Sequence, residues 1–170
     1  MIPARTLTLL FVLLMTASSW AQTMTLDHTV YYLNAIMRDY TVTKNISVED
    51  SIAVKAPYTL SYQVDVDEEY NIQVKVIKDF SELLSINTAD PHDLQVEQVF
   101  KTEANDAIIL NCKGWTQCIH KEIPAQKLTY YTASLRMEIK EGAIQAKNIR
   151  DAFMYLVMKA DEYKAMQANR

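Results

Sequence analysis

The sequence predicts an α+β fold with one helix at each end and about seven antiparallel strands between them. Three observations support this prediction. Residues 25–40 carry apolar side chains at helical spacing, residues 58–139 alternate apolar and polar side chains over several short stretches, and residues 149–163 return to helical spacing. The closing helix is amphipathic, so it is expected to pack its apolar stripe on the sheet.

The first helix is predicted over TLDHTVYYLNAIMRDY, residues 25–40. Thr25 is a suitable N-cap, and the apolar stripe that follows includes Leu33 and Met37. Residues 41–57 show weak periodicity and end at a proline, so they are expected to connect the helix to the sheet, with room for a short strand.

The strongest strand signal lies in YTLSYQVDVD and YNIQVKV, which start at Tyr58 and Tyr70. Both stretches alternate apolar and polar residues, as a half-buried strand does. With the turn at DEE between them, Val66 faces Tyr70 and Val64 faces Ile72, so the apolar faces coincide. The sequence therefore predicts a β-hairpin here.

Further strands are predicted at SELLSI, LQVEQVF, AIILNC and CIHKEI, and in the alternating run from Tyr131 to Ile139. The closing helix places Ile149, Phe153 and Leu156 on one apolar stripe. No glycine-rich or serine-rich linker and no internal repeat divides the chain, so residues 22–170 are predicted to form a single domain.

The N-terminal segment has the layout of a secretory signal peptide. Arg5 precedes an apolar run, and the small polar stretch after it ends in Ser-Trp-Ala, which predicts residues 1–21 as the signal peptide and cleavage before Gln22. The apolar run is short for a membrane span. No cysteine lies near the cleavage site, so no bacterial-type lipid anchor is expected. The protein is predicted to be exported to a periplasm or the cell exterior.

Composition argues against several classes of function. The formal net charge is −4, and no basic patch with interleaved aromatic residues is present, so nucleic acid is not an expected partner. The two glycines of the chain form no phosphate-binding loop and no nucleophile elbow. The three histidines, His28, His92 and His120, show no catalytic spacing with serine or cysteine. The sequence therefore predicts no cofactor and no catalytic residue.

The two cysteines lie in NCKGWTQC. If AIILNC and CIHKEI form a hairpin, Cys112 and Cys118 lie opposite each other within disulfide distance, and an oxidising compartment favours the bond. Two alternatives remain. A redox pair normally has two intervening residues instead of five. A metal site would recruit Cys118 and His120 from one face of a strand, but it lacks a fourth ligand.

Three further patterns are candidate sites. The acidic turn VDVDEEY offers carboxylates to calcium, although it lacks the glycine and the spacing of a calcium-binding loop. Asn45-Ile46-Ser47 matches the acceptor pattern for N-glycosylation. Trp115, at the tip of the predicted cysteine hairpin, and Tyr130 are candidates for an exposed aromatic surface that binds a partner.

The chain resembles the pleckstrin-homology-like superfold in TLDHTVYYLNAIM, IILNCKGWTQCI and IRDAFMYLVMKA. It is similar to secreted bacterial proteins that place a short helix before such a domain. The resemblance spans residues 24–166 and implies a barrel or strongly bent sheet with a C-terminal helix. Family members bind lipids, peptides or proteins. The basic residues of the lipid-binding members are replaced here by acidic ones in VDVDEEY, so phosphoinositide binding is not expected.

These patterns favour an exported, non-enzymatic binding or scaffolding module whose partner is a protein or a peptide, bound through a strand edge or the Trp115 tip. Two alternatives remain. The first is a small hydrolase with an unrecognised site. The second is a carrier of a small apolar ligand, which requires a cavity lined by Phe153, Leu156 and Val157.

Overall fold

The computed structural model describes residues 25–39, 41–44, 57–99, 105–140 and 143–169. The predicted signal peptide (1–21), its cleavage site before Gln22 and the acceptor Asn45 lie outside these residues. Within them the chain forms two helices and nine strands. In chain order these are α1 (Leu26–Asp39), β1 (Val42–Lys44), β2 (Tyr58–Val66), β3 (Ile72–Lys78), β4 (Glu82–Ala89), β5 (Leu94–Val99), β6 (Asn105–Cys112), β7 (Ile119–Ile123), β8 (Leu128–Thr132), β9 (Ser134–Lys140) and α2 (Ala143–Ala168).

The strands form two antiparallel sheets. The larger sheet has the order β1-β2-β3-β4-β7-β8, and the smaller one has the order β5-β6-β9. The chain passes between the sheets three times, after β4, after β6 and after β8. The α+β class with a helix at each end is confirmed, but the described residues contain nine strands where the sequence predicted about seven.

Two strands account for the difference. β1 lies inside the segment predicted as a connection, and it pairs with the start of β2. The alternating run predicted as one strand from Tyr131 to Ile139 is divided at Ala133. β8 belongs to the larger sheet and β9 to the smaller one. The alternation of side chains continues across this break, so the pattern contained no sign of the change of sheet.

The predicted hairpin is present, but its register differs by two residues from the prediction. Val66 pairs with Ile72 and Val64 pairs with Val74. The turn is longer than expected, because Tyr70 has a left-handed backbone (φ 61°) and donates its N–H to the Asp67 carbonyl at 3.0 Å. A shift of two residues leaves every side chain on its predicted face, so the buried face was predicted correctly.

The closing helix α2 packs on the smaller sheet, against β5 and β6, and also contacts α1. Its buried residues Ile149, Phe153 and Leu156 belong to one core with residues of both sheets. Phe153 and Leu156 have no solvent exposure and pack among core side chains. The carrier hypothesis required these residues to line a cavity, so its predicted location is wrong.

Helix α1 covers the edge of the larger sheet where β1 ends. The buried residues Leu33 and Met37 attach the helix to the core. The Asn34 amide donates to the Val64 carbonyl oxygen at 2.8 Å, and its oxygen accepts from the Val64 N–H at 2.7 Å. β1 pairs only with residues 58–60 of β2. Asn34 therefore replaces a strand partner where β1 is too short to supply one.

Candidate functional site

The sulfur atoms of Cys112 and Cys118 lie 2.10 Å apart, with their Cα atoms 5.7 Å apart, as in a disulfide bond. The predicted pairing of strands around them is wrong. β6 pairs with β5 and β9, and β7 pairs with β4 and β8, so the two strands are in different sheets. The disulfide therefore closes a corner where the chain leaves the smaller sheet and enters the larger one.

All three passages between the sheets meet at this corner, which we call the disulfide corner (residues 90–93, 112–118 and 132–134). The Cys112 N–H donates to the Ala133 carbonyl oxygen at 2.8 Å. The Lys113 ammonium donates to the His92 carbonyl oxygen. The Cys118 N–H lies 2.9 Å from the Cys112 sulfur. The disulfide thus lies within a cluster of hydrogen bonds that join the three connections between the two sheets.

The disulfide removes Cys118 as a thiolate ligand for the metal site that the sequence left open. His120 has other contacts. Its Nδ1 lies 3.5 Å from a Glu122 carboxylate oxygen, and its ring lies 5.2 Å from the Tyr131 ring. In the part of the chain that the structure describes, no group of three or more His, Cys, Asp or Glu residues is arranged to hold a metal ion.

The acidic turn between β2 and β3 is built around one carboxylate. Asp67 Oδ1 accepts the N–H groups of Glu69 at 2.9 Å and of Asn71 at 2.8 Å, and Oδ2 accepts from the Asn71 amide at 3.1 Å. These bonds fix the turn, which is a structural use of the same oxygens that the sequence offered to calcium.

The backbone of Trp115 lies in a short 3-10 turn, Lys113–Trp115. Its side chain lies outside the described residues, so only Tyr130 represents the predicted Trp115–Tyr130 surface. Gly114 has a left-handed backbone (φ 65°), which glycine adopts without strain. Tyr130 is 41% exposed and belongs to β8, a strand whose start at Leu128 the sequence analysis missed.

β8 forms the outer edge of the larger sheet, and in the described residues it pairs only with β7. Its apolar and aromatic residues are exposed. Leu128 is 46% exposed, Tyr130 41% and Tyr131 57%. No residue of β8 is charged and none is proline. Charge and proline are two of the means by which an edge strand avoids pairing with another chain.

The aromatic residues of β8 are held by β7 on both faces of the sheet. The Lys121 ammonium lies 5.7 Å from the centre of the Tyr130 ring, and the His120 ring contacts Tyr131 on the opposite face. These contacts restrict the two rings while leaving much of their surface exposed. The composition LTYYT is typical of a strand, so this edge was open to prediction from the sequence.

A cavity of about 360 Å³ opens between the inner face of the larger sheet and β9. No pattern in the sequence predicted this cavity. Its apolar lining consists of Leu60, Tyr62, Val76, Leu84, Ile123 and Leu135. Burial raises the pKa of Tyr62 to about 12, and its hydroxyl oxygen accepts the Glu138 N–H at 3.0 Å, so the phenol is neutral near pH 7.

No helix in the described residues is long and apolar enough to cross a membrane. Comparisons of the chain with models of known protein families, with curated proteins and with solved structures found no match.

Proposed function

We propose that this protein is an exported, non-enzymatic binding module that recognises an extended segment of a protein or peptide by adding it as a strand to β8. The main observation in support of this proposal is the exposed, uncharged edge of β8. An edge strand presents a row of unpaired N–H and C=O groups, which an extended peptide can pair with regardless of its sequence.

The two edges of the larger sheet differ in a way that supports this role. At the β2 edge, β1 pairs with residues 58–60 and the Asn34 side chain satisfies the backbone of Val64. The described residues supply no such cover to β8. In the described residues, β2 is thus covered by β1 and by Asn34 of α1, whereas β8 keeps aromatic side chains on both faces of its edge.

The side chains of β8 alternate between the two faces of the sheet, and this alternation can make the edge selective for the side chains of a bound peptide. Leu128 and Tyr130 lie on the inner face of the sheet, and Thr129 and Tyr131 lie on the outer face. A peptide added beside β8 would place its successive side chains against these two faces in turn. Exposed tyrosines supply much of the binding energy in many protein interfaces.

The hydrolase alternative has less support. His28, His92 and His120 lie in α1, in the turn before β5 and in β7. The Nδ1 atom of His92 lies 3.4 Å from an Asp161 carboxylate oxygen, and His120 contacts Glu122. In the described part of the chain, no hydrogen bond joins a histidine to the side chain of a serine or cysteine.

Export and the finer fold assignment belong to the same proposal. The disulfide supports export, because such bonds persist mainly in oxidising compartments. β1 contacts β9, so the two sheets approach each other on that side, which supports a pleckstrin-homology-like barrel formed by one domain. The C-terminal helix on β5 and β6 is also consistent with that fold.

The test is to select peptides from a displayed random library on the purified protein and to map one selected peptide by hydrogen–deuterium exchange. We expect the peptide to slow exchange of β8 amides. The variant Thr129→Lys/Tyr131→Lys places charge on the edge and should weaken binding about tenfold or more. Gln63→Lys, at an exposed position on β2, is the matched control. Slowed exchange elsewhere, or equal binding by the edge variant and the control, would contradict the proposal.

A further inference from the structure

The inner face of the larger sheet is filled at one end and open at the other. Val64, Val74 and Ile119 are buried in the core. Toward the other end, Val76 pairs with Ser85 and Ile77 pairs with Leu83, so Leu84 is an extra residue in β4. Such a bulge bends a strand and increases its local twist. The bulge therefore lies where the two sheets separate and the cavity opens.

The charges around this cavity have one sign. Among the described residues, Lys121 and Arg136 line it and no aspartate or glutamate does, although the chain as a whole has a formal net charge of −4. The Nε of Arg136 lies 3.8 Å from a Glu138 carboxylate oxygen, which offsets part of its charge. Lys121 makes no ion pair with a described residue, and its ammonium lies near the Tyr130 ring. Lys121 is therefore the main uncompensated charge on the lining.

A buried polar pair lies beside the apolar lining. Ser85 lines the cavity, and Asn87, on the same face of β4, donates its amide N–H to Ser85 Oγ at 3.1 Å and to the Val74 carbonyl oxygen at 3.0 Å. These bonds fix the orientation of the amide, since only its nitrogen can donate to a carbonyl. Asn87 is 2% exposed, and its Oδ1 accepts no hydrogen bond from any described residue.

An unfilled apolar cavity forfeits contacts between side chains. Asn87 does not itself line the cavity, and its hydrogen bond bears on the site only by orienting the Ser85 hydroxyl. Ser85 Oγ accepts from Asn87, so its own O–H is oriented to donate elsewhere. An apolar wall, a hydroxyl donor and an ammonium group at one cavity match a ligand with an apolar body and an anionic head.

We propose that the cavity between the sheets binds a small amphipathic acid, with its apolar body against Leu60, Val76 and Ile123 and its carboxylate at Lys121 and Ser85. The volume of about 360 Å³ lies within the range of small-molecule sites. This site adjoins the β8 edge through the contact between Lys121 and Tyr130, but it does not require the peptide-binding role of β8.

The experiment uses isothermal titration calorimetry with three probes of equal chain length, decanoate, decanol and decyltrimethylammonium, below their aggregation concentrations. The full mature chain should bind decanoate most tightly and the cationic probe most weakly. Lys121→Met should weaken decanoate binding about tenfold, as expected for one partly buried charge pair, and leave decanol binding unchanged.

Two further variants make the result specific. Val76→Phe places a ring in the cavity and should abolish binding of both decanoate and decanol. Lys75→Met removes the same charge from the opposite face of β3 and should change neither. Melting temperatures of all variants check that the fold is retained. The proposal is overturned if the unsubstituted protein does not bind decanoate, or if Lys121→Met and Lys75→Met bind it equally well.

Discussion

Two aromatic residues at the turns of the larger sheet adopt left-handed backbone conformations that favour glycine. Tyr70 has φ 61°, and Phe80, in the turn between β3 and β4, has φ 58°. The Tyr70 ring stacks on Tyr163 of α2 at 5.6 Å, which offsets the backbone cost. Phe80 is 63% exposed. The burial of the Phe80 ring therefore offsets less of the backbone strain than the packing of the Tyr70 ring does.

We expect Phe80→Gly to raise the free energy of unfolding by about 0.5–1 kcal/mol. Asp79 and Phe80 both have positive φ, and Ser81 donates to the Lys78 carbonyl oxygen at 3.1 Å, so this is a tight hairpin turn whose second central residue is normally glycine. Relief of the strain should exceed the extra entropy that glycine has in the unfolded chain. Urea denaturation measures the change.

Phe80→Ala is the matched control, because it removes the ring and keeps a Cβ at positive φ. It should not stabilise the protein. If Phe80→Gly destabilises the protein, the ring makes contacts worth more than the backbone strain. Neither left-handed aromatic residue was predictable, since the sequence pattern reports which face a residue occupies and carries no information on the sign of φ at a turn.

At the scale of elements, the sequence predicted which face each strand buries better than which strands are neighbours. The alternation in Val64 and Val66 depends only on local burial, so it survived a register error of two residues. Strand neighbours depend on long-range contacts. The link between β6 and β7 has the length of a hairpin loop, yet the chain changes sheet there, because β6 is already paired on both sides with β5 and β9.

The candidate sites also differ in whether they depend on local sequence pattern or on long-range contacts. Two adjacent strand tyrosines cannot both face the core, so the sequence predicted that one of them is exposed and selected Tyr130; in the structure Tyr130 is 41% exposed and Tyr131, which the alternation placed on the apolar stripe, is 57% exposed. The cavity was not predicted, since it is formed by residues of β2, β3, β4, β7 and β9 that the topology brings together. The partly compensated charge of Arg136 and the unpartnered oxygen of Asn87 become visible only in three dimensions.

The far end of α2 is attached to two loops of the larger sheet by a single lysine. Lys164 donates to Asp90 Oδ2 at 2.6 Å and to Asn71 Oδ1 at 2.7 Å. Burial raises the pKa of Asp90, but the hydrogen bonds from Lys164 and from the His92 N–H outweigh it, so the pKa lies below its usual range. Ionised Asp90 therefore stabilises the folded state.

We expect Asp90→Asn to lower the free energy of unfolding by about 0.5–1 kcal/mol at pH 7, because asparagine can still accept the His92 N–H but loses the charge opposite Lys164. The folded-state pKa is depressed, so this contribution is complete above the unfolded pKa of about 4 and is lost as pH falls through the folded pKa. The stability difference between the two proteins should thus close under acid conditions.

Urea denaturation of both proteins between about pH 7 and pH 2 measures this difference. Lys164→Met serves as the partner variant, and in its background Asp90→Asn should have little effect at any pH. A difference that persists unchanged at the lowest pH would show that the asparagine acts through packing or hydrogen bonding and not through charge.

At the scale of the whole molecule, the two sheets are held in register by the disulfide corner, where all three passages between them meet. The sequence predicted the bond between Cys112 and Cys118 from their separation and the expected compartment. Its role is different from the prediction. The bond does not close a hairpin inside one sheet. Instead, it joins Cys112, the last residue of β6, to Cys118, which directly precedes β7.

We expect Cys112→Ser/Cys118→Ser to lower the free energy of unfolding by about 2 kcal/mol, which is the chain-entropy estimate for so short a loop. Cys112 is buried, but its sulfur lies 3.6 Å from the Thr132 carbonyl oxygen, so a serine hydroxyl there has an acceptor within reach. Thr116→Ala, in the same loop, keeps the disulfide and should have a smaller effect. Thiol labelling that finds both cysteines free in the native protein would contradict the disulfide itself.

Hydrogen–deuterium exchange separates two ways in which this bond can act. If it only restricts the unfolded chain, its removal speeds global opening and raises exchange equally in all core strands. Because the Cys112 N–H holds the Ala133 carbonyl between β8 and β9, we expect the double variant to raise exchange most in β7 and β8 and least in β2 and β3. A uniform increase would show that the disulfide stabilises the fold without fixing the position of the β8 edge.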